Sequence, residues 1–236
     1  RKGRPFVSRR PLLIMASCLA LGGAETSIAQ SNLDERLSSC GYKDVVVIYG
    51  DPAERVAACD ALNDVTAYFR AIGFEIAPAI SLEFADRPAD YTVPHGHFDS
   101  ARGQVVVYRS AAIAPWGLSW NLALAAAFLR HELVHVVVWR ASKEHRRLPR
   151  EWHEFIAYAI QLDLMDPNVL DRVLASRADV QPFDELLAVN EFTYGMGPEA
   201  FAVAAYKTYR ARGGAQLVQQ LLTGQVVPPS VSHPPQ

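Results

Sequence analysis

Neither sign of charge predominates in this chain. Its 23 Lys and Arg stand against 25 Asp and Glu, for a formal net charge of −2. That balance gives no general electrostatic reason to bind nucleic acid or an anionic lipid surface. Cysteine is scarce, with three among 236 residues, and a chain of this length buries a substantial core without a disulfide framework. No segment repeats, which sets aside solenoid and propeller arrays. What is present is ordinary for a globular protein: 50% hydrophobic and 20% charged residues, enough for one good-sized domain or one with a small appendage. Function has to be read from local chemistry.

The first informative segment is the N-terminus. Arg1, Lys2, Arg4, Arg9 and Arg10 precede the apolar run Leu12 to Gly22, and Ser27-Ile28-Ala29 places small residues around a cleavage position. This order is that of an export signal over residues 1–29, and the run is too short to span a bilayer well. Ser8-Arg9-Arg10-Pro11 also has the form of a twin-arginine signal, so the route, Sec or twin-arginine, stays open. The competing reading is a retained membrane anchor. With Cys18 in the removed segment, Cys40 and Cys59 remain as an even pair for a periplasmic or secreted protein, either bridged or left as two buried thiols. A bridge between them closes a loop of about twenty residues and stabilises the fold by ~3 kcal/mol in the chain-entropy picture.

Past the signal, residues 30–226 read as a single α+β domain. Asp44 to Tyr49 (DVVVIY) has the short, β-branched character of a buried strand. Asp51 and Pro52 suit the N-cap and first position of a helix running to Ile72 and stopping at Gly73. Phe74 to Phe84 is a second extended stretch broken at Pro78, and Arg87 to Pro94 is loop. Gln104 to Arg109 is a strand that can pair with Gly96–Asp99 through a turn at Ser100 to Gly103. Helices then dominate. Leu118 to Arg140 is apolar on nearly every side and belongs in the middle of the protein. Its Arg130, His131, Glu132 and His135 argue against a membrane span, because ionisable groups are costly in lipid. A polar turn, Ser142 to Arg147, leads to a helix from Arg150 to Met165. Pro167, Pro182 and Pro198 are expected to open three further helical stretches, Gly213-Gly214 introduces the last, and the Pro-rich tail 227–236 is expected to be disordered.

The strongest signal is His131-Glu132-Leu133-Val134-His135. Histidines four apart on a helix lie on one face, one turn apart, so both imidazoles can reach one ion. Glu132 stands beside them, placed to take a proton from a water held by that ion. A hydrogen-bonded polar cluster is the bland alternative, but three ionisable groups in a buried helix are expensive unless something compensates them. Catalytic Zn2+ usually takes three protein ligands and leaves one position open. A third histidine six residues beyond His135, with a glycine midway, would define one subclass. Ala141 and Val138 occupy those positions, so that subclass is excluded. The next helix offers Glu151, His153 and Glu154. At 1.5 Å per residue, His135 and Glu154 both sit ~6–8 Å from the interhelical turn. An antiparallel hairpin therefore favours Glu154 over the shallower Glu151, while His153 points about a hundred degrees away.

The HExxH helix followed by a glutamate on the next helix resembles the gluzincin metallopeptidases, which include thermolysin-like and aminopeptidase-like enzymes. Leu148-Pro149-Arg150-Glu151-Trp152-His153-Glu154-Phe155-Ile156-Ala157-Tyr158 is similar to that family's segment of Pro and Trp, then Glu-Gly-x-Ala. It departs at Phe155, where the family has Gly, and at Trp152, one position closer than usual. Tyr194, Phe201, Tyr206, Tyr209, Gly213-Gly214, Leu217 and Leu221-Leu222 are similar to the C-terminal helices of small single-domain members. The resemblance covers roughly Gln104 to Gly224. It implies a zincin-like fold, a Zn2+ cofactor, a peptide or protein substrate, and hydrolysis by a water that Glu132 activates. It further implies a Tyr or His that stabilises the oxyanion, for which Tyr194 is the candidate, and Gln104 to Tyr108 as the edge strand along which substrate docks. His95, His97 and Asp99 are weaker candidates for a second metal site. A non-catalytic zinc-binding protein and a zinc hydrolase of non-peptide bonds are the competing functions. The sequence leaves oligomeric state, substrate length and endo- or exopeptidase action open.

Overall fold

The computed structural model describes residues 37–75, 79–89, 95–144 and 148–229. The expected export signal and most of the Pro-rich tail lie outside them. The described residues fall within one compact unit, Arg36–Gln236.

The first half builds a small mixed sheet. Its strands are β1 (Leu37–Ser38), β2 (Val45–Ile48), β3 (Ile80–Ala85), β4 (Gly96–Asp99) and β5 (Gln104–Tyr108), in the order β1-β2-β3-β5-β4. β2, β3 and β5 run parallel, with Val45 opposite Ile80 and Ser81 opposite Gln104. β1 and β4 are antiparallel edges. Helix α1 (Pro52–Ala71) makes the crossover from β2 to β3, as parallel neighbours require. Asp51 caps it as expected, accepting from the Ala53 N–H at 2.7 Å. Glu54 completes a capping box from Oε2 and holds Arg109, at the end of β5, through Oε1 at 2.7 Å. Ala58, Ala61, Leu62, Val65 and Phe69 recur at helical spacing and are buried in the core that this helix shares with the sheet and the helical half. Cys40 and Cys59 form the expected disulfide, with Cα atoms 5.2 Å apart, tying the β1–β2 connection to α1.

The β4–β5 hairpin forms as expected. Asp99 Oδ1 accepts from the Ala101 and Arg102 N–H groups, and Gly103 turns the chain at φ +63° with Ala79 O only 2.9 Å from where a Cβ would stand. Gly96 is required for another reason: a Cβ there would lie 2.4 Å from Val106 O. Two expectations change. β2 is buried on one face only, with Val46 and Ile48 left exposed, because the helices cover one side of that part of the sheet. And Gln104–Tyr108 is not the edge strand. It is interior, and β4 is the edge.

The second half is helical: α2 (Leu122–Glu144), α3 (Arg150–Asp163), α4 (Pro167–Ser176), α5 (Glu191–Met196), α6 (Pro198–Ala211) and α7 (Ala215–Leu222). α2 is the central element. Leu122–Ser142 is long and apolar enough to cross a membrane, but 72% of its apolar window is buried inside the protein. It starts four residues later than expected. Asn121 Oδ1 accepts from the Leu124 N–H at 3.0 Å, and the preceding turn Pro115–Gly117 is pinned by Glu199, which accepts the Trp116 N–H. It also ends later, at Glu144. Pro182 opens no helix. The Phe183 N–H donates to Thr208 Oγ1 at 2.7 Å, and that docking holds the chain until the 3-10 turn Leu186–Ala188 and α5, which Asn190 caps. α3 packs between α2 and α6, with Trp152, Phe155, Ile156 and Ile160 fully buried.

Candidate metal centre

The antiparallel α2–α3 hairpin brings the predicted depths together. His131 and His135 sit one turn apart, with Nε2 atoms 3.0 Å from each other. Glu154 Oε2 lies 3.4 Å from His131 Nε2 and 3.7 Å from His135 Nε2. Three ligands at zinc bond lengths of ~2.0–2.2 Å in a tetrahedron stand ~3.3–3.6 Å apart, so this triangle has the size of one face of such a site. The chemistry of the donors fits as well. Two imidazole nitrogens 3.0 Å apart cannot both present lone pairs to each other unless a proton or a cation lies between them. Among the described residues, His131, His135 and Glu154 form the group able to hold a metal ion. Glu151 is left outside it.

Burial sets the charges. Burial opposes ionisation of His131, but the Glu154 hydrogen bond and the Glu132 charge outweigh it and raise the imidazole above its ordinary value. His135 is pushed down to about 3 by burial and by the neighbouring His131. Burial raises the Glu154 carboxyl, yet the His131 hydrogen bond and the His135 charge bring it down to about 2.

Glu132 is buried beside this group and lines the same cleft of about 700 Å³. Burial, reinforced by the Glu154 charge, pushes its carboxyl up to about 7, against the pull of His131 and of the Phe98 N–H that it accepts. That N–H comes from the edge strand β4, so the sheet edge orients the acid.

Gln161 escaped the sequence reading. Its Oε1 accepts from His131 Nδ1 at 3.1 Å, which leaves Nε2 to face the ligand triangle. Position 161 is seven residues after Glu154 and so on the same helix face, a signal that sequence alone contained. His153 is half-buried on the cleft wall, its ring stacked 6.4 Å from that of His135. Tyr194 reaches the cleft from α5, packed edge-on against Phe201 at 5.4 Å. His95, His97 and Asp99 are not assembled into a ligand group. Asp99 holds the hairpin turn, and His97 faces the Tyr108 hydroxyl at 3.4 Å. His95 is stacked against Phe128 at 4.1 Å and Trp120 at 5.5 Å.

Fold and site together define an α+β protein with a buried His-His-Glu group able to bind a metal ion, open to a cleft beside a second glutamate. Residues 45–231 match DUF6639, described as a family of unknown function, and the chain belongs to that family. No curated protein and no solved structure matches it.

Proposed function

We propose that the protein is a zinc-dependent peptide hydrolase of gluzincin type, with a zincin-like arrangement of sheet edge, active-site helix and ligand helix. The observation that carries the reading is the His131–His135–Glu154 triangle with Glu132 beside it on an open cleft. Two imidazoles and one carboxylate suit zinc among the divalent metals. Zinc bound there would acidify a coordinated water and polarise a substrate carbonyl.

The chain's own residues supply the rest. His131, His135 and Glu154 hold the ion, and Gln161 fixes the orientation of the His131 ring. Glu132, buried beside the ligand group on the same cleft, can accept a proton at its carboxylate and return it to the departing amine. Tyr194 is placed on the cleft wall to donate to the developing oxyanion. β4, the edge strand that lines the cleft, is the strand along which an extended peptide would add. The disulfide supports an exported protein in an oxidising compartment.

The test is zinc content by mass spectrometry together with cleavage of an unblocked peptide mixture. The expected result is about one zinc per chain in wild type and Glu132→Gln alike, with the rate falling roughly 10²–10⁴-fold in the variant. Zinc bound without cleavage by wild type would instead indicate a binding protein. Cleavage that survives Glu132→Gln unchanged would remove Glu132 from the mechanism.

A further inference from the structure

We infer that Arg150 is the docking point for a substrate carboxylate, which makes the enzyme a carboxypeptidase that removes an apolar C-terminal residue. The inference deepens the hydrolase reading above and rests on it. Arg150 is the first residue of α3, one turn before Glu154 and on the same face. It is exposed and lines the cleft that holds the metal group. Arg109, Arg130, Arg177 and Arg210 each hold a carboxylate of this chain. Among the described residues no carboxylate lies within ion-pair distance of Arg150. Its guanidinium stands instead over the Tyr194 ring, 5.5 Å from the centroid. The tyrosine ring backs the fork without an ion pair, while the charge of Glu154 one turn away acts on it at longer range.

The surroundings select the rest of the ligand. In the hairpin, His135 is level with Glu154, so Trp139 is level with Arg150, one turn further toward the interhelical connection. Trp139 lines the cleft together with Leu148, and Phe98 packs edge-on against Trp139 at 6.0 Å. A cation beside an apolar wall, about one turn from the metal ligands, fits a terminal residue with a free α-carboxylate and an apolar side chain. The scissile C–N bond is then the last peptide bond. Water supplies the oxygen of the new C–O bond and a proton to the departing nitrogen, giving a shortened peptide and a free amino acid.

The test is calorimetric binding of acetyl-Ala-Ala-Phe, as the free acid and as the C-terminal amide. Both go to the zinc-free full chain and to the zinc-loaded Glu132→Gln chain. The acid is expected to bind about tenfold or more tightly than the amide in both forms. Arg150→Gln should abolish that preference in the zinc-free form, where the metal cannot capture the carboxylate, and Arg150→Lys should keep part of it. Equal binding of acid and amide, binding of neither, or a preference that survives Arg150→Gln would overturn the inference. Hydrolysis by the zinc-loaded wild type separates the two claims. Cleavage of acid and amide alike leaves the hydrolase and removes the carboxypeptidase. An Arg150-dependent preference without cleavage leaves the carboxylate site and removes the hydrolase.

Discussion

Gln161 shows how much of the centre rests on a neutral side chain. It is fully buried on α3, and its Oε1 fixes the His131 tautomer while its Nε2 has no hydrogen-bond partner among the described residues. Gln161→Leu should leave folding stability nearly unchanged, because it also relieves a buried unpaired amide. It should weaken zinc affinity about 10–100-fold, read by competition with a chelator. His95 also lines the cleft. Burial in the aromatic stack pushes its pKa down to about 4 from 6.5. Between those values the unfolded chain binds more protons than the folded one, so stability rises with pH and is lost as pH falls from 6.5 toward 4. His95→Phe keeps a ring in the stack and removes the titration. In urea unfolding, that variant should lose less stability than wild type over this window, by on the order of 1–2 kcal/mol after solvent screening.

The α2–α3 hairpin is the element that turns a sequence motif into a site. Its ligand helix departs from the resembled family at Phe155, which is fully buried with its ring 5.3 Å from Trp152. Phe155→Ala should cost ~3–5 kcal/mol by urea unfolding, because the bulk next to Glu154 is core packing. The hairpin itself was legible in the sequence. His131, Glu132 and His135 follow from helical spacing, and Glu154 over Glu151 follows from matched depth. The Asp51–Pro52 helix start and the β4–β5 pairing were legible for the same reason: each is decided within a few residues. The start of α2 was not, because Trp116 is held by Glu199, 83 residues away. The docking of Phe183 on Thr208 likewise overrides the helix expected at Pro182. Strand order escaped for the same reason. Nothing local to Gln104–Tyr108 says that β4, not β5, takes the edge.

For the molecule as a whole, one sheet edge, one central helix and one antiparallel partner converge on a single cleft, while a disulfide closes the far end of the sheet. Burying two histidines and two glutamates at that convergence is costly for a fold with no ligand to reward it. A metal ion held by His131, His135 and Glu154 would offset that cost, supplying positive charge beside the two carboxylates. The most direct test is X-ray absorption at the zinc edge on protein purified without added chelator. The expected result is about one zinc per chain, with two imidazole nitrogens and a carboxylate oxygen at ~2.0–2.2 Å and no sulfur ligand. Loss of the imidazole signature in the His131→Ala/His135→Ala double variant should follow. Protein that holds no zinc, or zinc whose spectrum is unchanged in that variant, would contradict it.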